Sequence, residues 1–250
     1  MPTAISRQIS PHVFAIVGAV ALAYCADINA ARAQDYAAIV AAPDRSDTDR
    51  NNDKKRKPEQ MLAFTGVKTG MKVMDIVSSA GYSAELLARS VGPSGTVYAV
   101  NSKETADRVK DRFEPRLSKV KSLVPVIRNY DDPIPPEVNG LDIVTIYFSY
   151  HDLVHMGADR AAMNKKVFSA LKLGGFFVVA DHSAKAGDGL NVTKSLHRIE
   201  ESALRQEVEA AGFKLVAEGN FLRNPEDKRD TNVNQSQVPN DEFVLKFQKP

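Results

Sequence analysis

Val73-Met74-Asp75-Ile76-Val77-Ser78-Ser79-Ala80-Gly81-Tyr82 reads as a short apolar strand ending in a carboxylate, then a turn of small residues, then the start of a helix. A strand that feeds a glycine-bearing turn and a helix N-terminus is how an α/β fold builds a nucleotide-shaped site. Gly-x-Gly-x-x-Gly, which a nicotinamide dinucleotide asks for, is not supplied by residues 77–82. Only Gly81 gives the turn the free backbone that close approach to a ligand needs.

Working outward, Ser83 is placed to cap a helix whose inward stripe is Leu86, Leu87 and Val91. Thr96 to Val100 is a second strand ending at Asn101, and Lys103 to Arg116 a polar helix. Val124 to Ile127 is a third strand, followed by an Asn129–Pro133 loop. Leu141 to Phe148 is a near-continuous apolar run, as a parallel strand covered on both faces requires. Helix Ala158–Leu171, stopped at Gly174-Gly175, precedes a buried strand Phe176–Ala180. One amphipathic helix is expected over Leu196–Ala211, then a strand Phe213–Glu218, a long polar loop Arg223–Asp241, and a last strand carrying Phe243, Leu245 and Phe247. Strands alternating with helices predict one Rossmann-like, doubly wound, mostly parallel α/β sheet of seven strands. The last two strands have no helix between them and should pair antiparallel at its edge.

Upstream, residues 34–57 form a polar segment of mixed charge. It is either a solvated stretch or a lid, with Arg45 or Lys57 reaching toward a ligand. Pro58 opens a short helix that carries Met61, Leu62 and Phe64 inward and stops at Gly66. Residues 1–33 have the pattern of a signal peptide: Arg7, an apolar run Val13–Ala26, and Ala31-Arg32-Ala33 for cleavage. That run is shorter than the ~20 residues a bilayer span needs, so no stable membrane span is expected once it is removed. The expected compartment is periplasmic or secreted. Cys25 is the chain's single cysteine and leaves with the signal, which excludes a cysteine nucleophile, a thiolate metal site and a disulfide. A net charge of +2 predicts no strong attraction to nucleic acid or membrane surfaces.

This order resembles the class I S-adenosylmethionine-dependent methyltransferases. Asp75 at the strand end, Gly81-Tyr82, Leu86-Leu87-Ala88, Val91-Gly92-Pro93-x-Gly95 and Val97-Tyr98-Ala99 look like that fold's first motif and following strand. A closer likeness is to exported bacterial predicted methyltransferases. It rests on Tyr150-His151-Asp152, Leu173-Gly174-Gly175 to Asp181-His182, Leu196-His197-Arg198 and Val208 to Phe213. The resemblance implies S-adenosylmethionine as donor and a small-molecule or envelope acceptor. It puts Asp75, Val77, Ser79, Gly81 and Tyr82 at the donor's amino-acid part and ribose, Asn101 at the ribose hydroxyls, and Asp131 or Asp132 at the adenine amino group. The loop after the fourth strand would face the methyl group.

The chain departs from that pattern at two places. Where the family turn carries glycines, this chain has Val77 and Ser79; a left-handed backbone at Val77 would cost about 1–2 kcal/mol, charged against donor affinity. Asn101 stands where the ribose-binding carboxylate is expected. These substitutions leave a second reading, a non-catalytic binding protein on the same fold.

Methyl transfer asks a protein for positioning and sometimes for removal of a proton. Tyr150 and His151 are the candidate bases, with Asp152 to orient them, and His182 follows the neighbouring strand at the same edge. His151-Asp152-x-x-His155 also mimics the spacing of a zinc-binding His-Glu-x-x-His helix. With His182 as third ligand this is the set of a metal-dependent hydrolase, the third reading.

Overall fold

The computed structural model describes residues 34–250. The signal-peptide reading of residues 1–33 lies outside them. In chain order the elements are α1 (Tyr36–Val40), α2 (Asp47–Arg56), α3 (Pro58–Thr65), β1 (Lys72–Ile76), α4 (Tyr82–Val91), β2 (Thr96–Asn101), α5 (Lys103–Lys119), β3 (Leu123–Ile127), β4 (Leu141–Tyr147), α6 (Tyr150–His155), α7 (Arg160–Ala170), β5 (Leu171–His182), α8 (Thr193–Leu196), α9 (Glu201–Glu209), β6 (Lys214–Gly219) and β7 (Glu242–Gln248). Among the described residues no helix is long and apolar enough to cross a membrane.

The seven strands form one sheet in the order β3-β2-β1-β4-β5-β7-β6. The first five run parallel, and β7 lies antiparallel between β5 and β6, as the absence of a helix between the last two strands predicts. The central strands read as continuous apolar runs because both their faces are covered. Met74, Val144, Ile146, Phe177 and Val179 pack with Leu153, Met163, Val167, Leu204 and Val208 of α6, α7 and α9. Val73, Val97, Ile143 and Val178 pack on the other side with Met61 and Leu62 of α3, Leu86 and Leu87 of α4, and Val109 and Phe113 of α5. Strand order reverses between β1 and β4, so their carboxyl ends open the crevice where such sheets bind ligands.

The structure corrects the local reading in four places. The helix expected over Leu196–Ala211 is broken. α8 ends at Leu196, His197 turns left-handed at φ 54°, and Ile199 bridges Ser183 before α9 begins. The cause is Arg198. Its side chain is fully buried, and its guanidinium binds Asp227 at 2.8 and 3.2 Å, the Ser183 carbonyl and the Thr231 carbonyl. Those bonds cost more to break than one interrupted helix. The same bonds pin the polar 223–241 loop to the body, where Asp241 also accepts from the Asn224 N–H at 2.8 Å.

Residues 150–155 form helix α6 rather than a loop. Asp181 stands in for a cap there, accepting the His151 main-chain N–H at 2.8 Å. Helix α4 starts one residue before Ser83, from a left-handed Gly81, and Ser83 Oγ donates to Asp75 instead. Finally, Gly174-Gly175 is a kink inside β5 and not a helix stop, because the chain passes directly from α7 into the strand.

Candidate active site

The turn after β1 is held by the protein's own bonds. Asp75 is buried beneath it: Oδ1 accepts from Thr145 Oγ1 at 2.6 Å, and Oδ2 accepts from Ser83 Oγ at 2.8 Å and Ser78 Oγ at 3.0 Å. Burial raises the Asp75 pKa, and the three hydroxyls hold it back in part. Asp75 is thus an anchor under the turn and not a wall of the cavity above. Val77 and Ser79 adopt left-handed backbone, φ 59° and 50°. Their strain is held by Ser78 N–H to the Val100 carbonyl at 3.0 Å and Gly81 N–H to the Ser78 carbonyl at 2.8 Å.

Asn101 completes the turn. Its Oδ1 accepts the Ser79 N–H at 2.8 Å while its Nδ2 donates to the Ser79 carbonyl at 3.0 Å. The expectation that Asn101 faces the ribose is corrected on this point, since both ends of the amide are spent on the turn. Gly81 is required for a separate reason. At φ 83°, an added Cβ would lie 2.9 Å from Arg116 Cδ and Phe113 Cε2.

Above the turn lies a cavity of about 300 Å³. Its floor is Val77 to Ala80, one wall is Tyr82, Ser83, Leu86 and Leu87, and another is Tyr147 to Ser149 at the end of β4. Its roof is the polar N-terminal segment, folded as α2 and the start of α3, with Asn52, Arg56 and Met61 facing in.

The segment lies over the cavity, but neither of the side chains expected to reach in does so. Arg45 is turned back onto Asp53, with both pairs of atoms at 2.8 Å. Lys57 donates to the Phe221 carbonyl on the surface. The residue that reaches in is Arg56, whose guanidinium stacks 3.6 Å over the Phe148 ring with Nη1 3.4 Å from Glu242 Oε1. Two side-chain pairs clamp the roof: Tyr82 OH donates to Asp53 at 2.7 Å, and Arg116 of α5 binds Asp49, out of solvent, at 2.7 and 2.9 Å. Arg116 also binds Glu85 of α4 and donates from Nε to the Ala80 carbonyl. Burial, followed by the charge of Asp53, pushes the Tyr82 phenol well above its ordinary range.

Asp131 and Asp132 do not line this cavity. Asp131 is exposed, and Asp132 is paired with Arg128 and with Lys166 at 3.3 Å. Tyr150 is also corrected. It is fully buried between α6, α7 and α9, donating to Glu207 at 2.9 Å and accepting from Asn164 at 2.9 Å, and has no access to a substrate.

A second, polar cavity of about 610 Å³ lies between the end of α2 and the 223–241 loop. Lys54, Lys55, Arg56 and Lys57 bring cations to one side, and His182 and Glu242 are in its base. Arg56 belongs to both cavities.

Histidines 151, 155, 182 and 197 gather beside these cavities, at the carboxyl edge of β4 and β5. His151 is buried, with Nδ1 2.7 Å from Asp181 Oδ1 and Nε2 3.1 Å from Asp152 Oδ1. Burial alone would lower its pKa, but Asp181 and then Asp152 outweigh it and carry the ring up to about 10. Such a ring is cationic at neutral pH and is no base. His197 Nδ1 closes on the same Asp152 oxygen at 3.2 Å, and His155 Nε2 stands 3.7 Å from it. His182 departs from the expected metal set with His151 and His155. Its ring packs on Phe148, and its buried Nδ1 lies 2.9 Å from Glu242 Oε1 without a hydrogen-bonding alignment.

Sequence reasoning missed Arg56, Asp49, Arg116 and Asp181 as members of the site, and set His197 on a continuous amphipathic helix. Asp181-His182 and Leu196-His197-Arg198 were both visible as stretches of resemblance. Nothing local marks Asp49 or Arg116, since each is one charge among many on a polar helix.

Comparison with known proteins bears on the family and the fold. Residues 51–218 match the ubiE/COQ5 methyltransferase family. The ubiquinone/menaquinone biosynthesis C-methyltransferase UbiE of Cupriavidus necator is 32% identical over 122 residues, 49% of this chain and 47% of that protein. The Burkholderia cenocepacia protein of the same name is 29% identical over 136 residues, 54% and 53% of the two chains. This chain spans about half the length of these curated relatives. Among solved structures, a SAM-dependent methyltransferase from Aquifex aeolicus superposes with a TM-score of 0.61 at 17% identity, over 86% of this chain and 99% of that one. The [4+2]-cyclase SpnF superposes with a TM-score of 0.57 at 13% identity, over 78% and 82%. Likenesses at this identity show the fold alone, and a cyclase among them shows that the fold does not dictate the reaction.

Proposed function

The chain belongs to the ubiE/COQ5 methyltransferase family, and on that premise we propose that it transfers a methyl group from S-adenosylmethionine to a small-molecule or envelope acceptor. The observation that carries this reading is the 300 Å³ cavity walled by the Val77–Ala80 turn, set at the point where strand order reverses. The donor lies there, with Leu86, Leu87 and Met61 supplying apolar walls. The acceptor enters the adjoining polar cavity.

The relatives' names specify C-methyltransferases. A carbon atom becomes nucleophilic toward a sulfonium when a neighbouring oxygen carries negative charge, as in an enolate or phenolate. The bond between sulfur and methyl breaks as the carbon–methyl bond forms, S-adenosylhomocysteine leaves with the electron pair on sulfur, and the acceptor carbon then loses its proton to water. Arg56 faces both cavities and offers a fixed cation to that oxygen. The rest is positioning, which the Asp49–Arg116 and Asp53–Tyr82 clamps provide by holding the roof.

Calorimetry of the protein with S-adenosylmethionine and S-adenosylhomocysteine tests the reading. Saturable binding to both supports it. An absence of binding up to millimolar ligand overturns it and leaves a non-catalytic protein on this fold. Export belongs to the same proposal: the expected signal at residues 1–33 puts the acceptor outside the cytoplasm, and a protein fractionated with Met1 intact would overturn that.

A further inference from the structure

Three ligand atoms in the histidine group make a nearly equilateral triangle. His151 Nε2 is 3.1 Å from Asp152 Oδ1, Asp152 Oδ1 is 3.2 Å from His197 Nδ1, and His197 Nδ1 is 3.3 Å from His151 Nε2. Zinc binds nitrogen and oxygen at about 2.0–2.1 Å with tetrahedral angles, which sets neighbouring ligand atoms roughly 3.3 Å apart. Among the described residues, this is the group whose ligand atoms converge in that way.

The surroundings are arranged as a metal site arranges them. Asp181 Oδ1 holds His151 Nδ1 at 2.7 Å and Asp181 Oδ2 the main-chain N–H at 2.8 Å, so Nδ1 keeps its proton, and a metal ion that displaces the proton on Nε2 meets a lone pair aimed into the triangle. His197 reaches it only because the backbone there is left-handed, φ 54°, a strain on the order of 1–2 kcal/mol for a non-glycine residue. Without a metal, protonated His151 Nε2 and His197 Nδ1 can each donate to Asp152 Oδ1. A dication bonds all three at once. The buried side is closed by His151, while the Asp152 and His197 side chains are 31% and 32% exposed, which leaves a fourth position toward solvent.

We propose that His151, Asp152 and His197 bind one divalent transition-metal ion of the zinc class, in a three-protein-ligand site whose open position takes water or an oxygen of a bound molecule. Two imidazoles and a carboxylate select such an ion over magnesium or calcium, which prefer all-oxygen shells. The inference is independent of methyl transfer, because it is read by metal binding.

The test is titration of the chelator-treated full chain with Zn²⁺ by calorimetry and with Co²⁺ by visible absorption. One equivalent should bind, and Co²⁺ should give the intense bands of a tetrahedral centre. His197→Asn is the leading variant, because Asn tolerates left-handed backbone. It and Asp152→Asn should each weaken binding more than about 100-fold, and Asp181→Asn, which removes the charge behind His151 without removing a ligand, about 10–100-fold. Circular dichroism identifies the variants that fold, and His197→Asn, whose backbone tolerates the left-handed turn, carries the test where Asp152→Asn does not fold. Absence of stoichiometric binding to the wild-type chain overturns the proposal. So does unchanged affinity in folded His197→Asn.

Discussion

Arg116 of α5 grips both carboxylate oxygens of Asp49 in α2, at 2.7 and 2.9 Å, across the mouth of the turn. Both side chains are nearly out of solvent, 11% and 3% exposed. Removing one partner therefore leaves an uncompensated buried charge, which costs about 3–5 kcal/mol. Arg116→Ala should lower the unfolding free energy by that amount in urea titrations. It should also weaken S-adenosylhomocysteine binding, because α2 is the roof of the donor cavity.

The same pair sets an acid limit. Burial raises the Asp49 carboxyl pKa, but the Arg116 bonds and charge outweigh it, and the net shift is downward. A group with a depressed folded pKa contributes stability that is fully present above its unfolded pKa, about 3.9, and is lost as pH falls through the folded value. Asp49→Asn should therefore be destabilised at neutral pH and lose less further stability on acidification. Melting temperatures measured from neutral pH down to the acid transition check both signs.

Asn101→Asp separates two roles for one residue. If position 101 served the ribose, a carboxylate would tighten donor binding. The structure predicts the reverse. Aspartate keeps an acceptor for the Ser79 N–H but loses the donor to the Ser79 carbonyl and places charge against it. The lost hydrogen bond costs about 0.5–1.5 kcal/mol, and the repulsion between carboxylate and carbonyl adds to it. A lowered melting temperature with weaker S-adenosylhomocysteine binding is expected, and tighter binding would return Asn101 to the ribose.

Most of the fold is legible in the sequence, because strands covered on both faces must be apolar throughout. Leu141–Tyr147 and Phe176–Ala180 show this most plainly. The turn is legible for a different reason: Asp75 and Gly81 are both forced, one as buried anchor and the other by the space that Arg116 and Phe113 occupy. Pairings distant in the chain stayed hidden. Asp49 and Arg116 are 67 residues apart, and helical periodicity cannot tell a clamp from a solvated charge. His197 was misplaced because an amphipathic pattern runs through 196–211. Only the pull of Asp227, 29 residues beyond Arg198, breaks that helix.

Val77→Gly with Ser79→Gly tests where the turn's strain is borne. The left-handed backbone is fixed by Ser78, Val100 and Asn101, so its cost falls on folding and not on donor affinity. Relief of about 1–2 kcal/mol per residue is offset by roughly 0.5–1 kcal/mol of backbone entropy for each glycine, together with the packing that Val77 loses. The double variant should unfold within about 1–2 kcal/mol of wild type. S-adenosylhomocysteine affinity should change little, apart from the effect of side-chain bulk leaving the cavity floor. Tenfold tighter binding at unchanged stability would put the strain back on the ligand.

Tyr150→Phe distinguishes a base from a beam. Tyr150 lies one residue before His151 at the carboxyl edge, where a catalytic phenol would be sought. Its hydroxyl, however, points away into the layer beneath, donating to Glu207 and accepting from Asn164. Glu207 is itself held by Arg160 at 2.7 and 2.8 Å, so the hydroxyl joins α6 to α7 and α9. Burial, then the charge of Glu207, pushes the phenol pKa far above its ordinary value, which removes it as a proton acceptor at any working pH. Phenylalanine fills the same space and loses two neutral or charge-assisted bonds, for a cost of about 1–3 kcal/mol. The expected result is a lower melting temperature with S-adenosylhomocysteine affinity and methyl-transfer rate unchanged below the transition. A fall in rate at full folding would return the phenol to the chemistry. Unchanged stability would instead mean that α6 is held by its apolar contacts with the core, Leu153 among them.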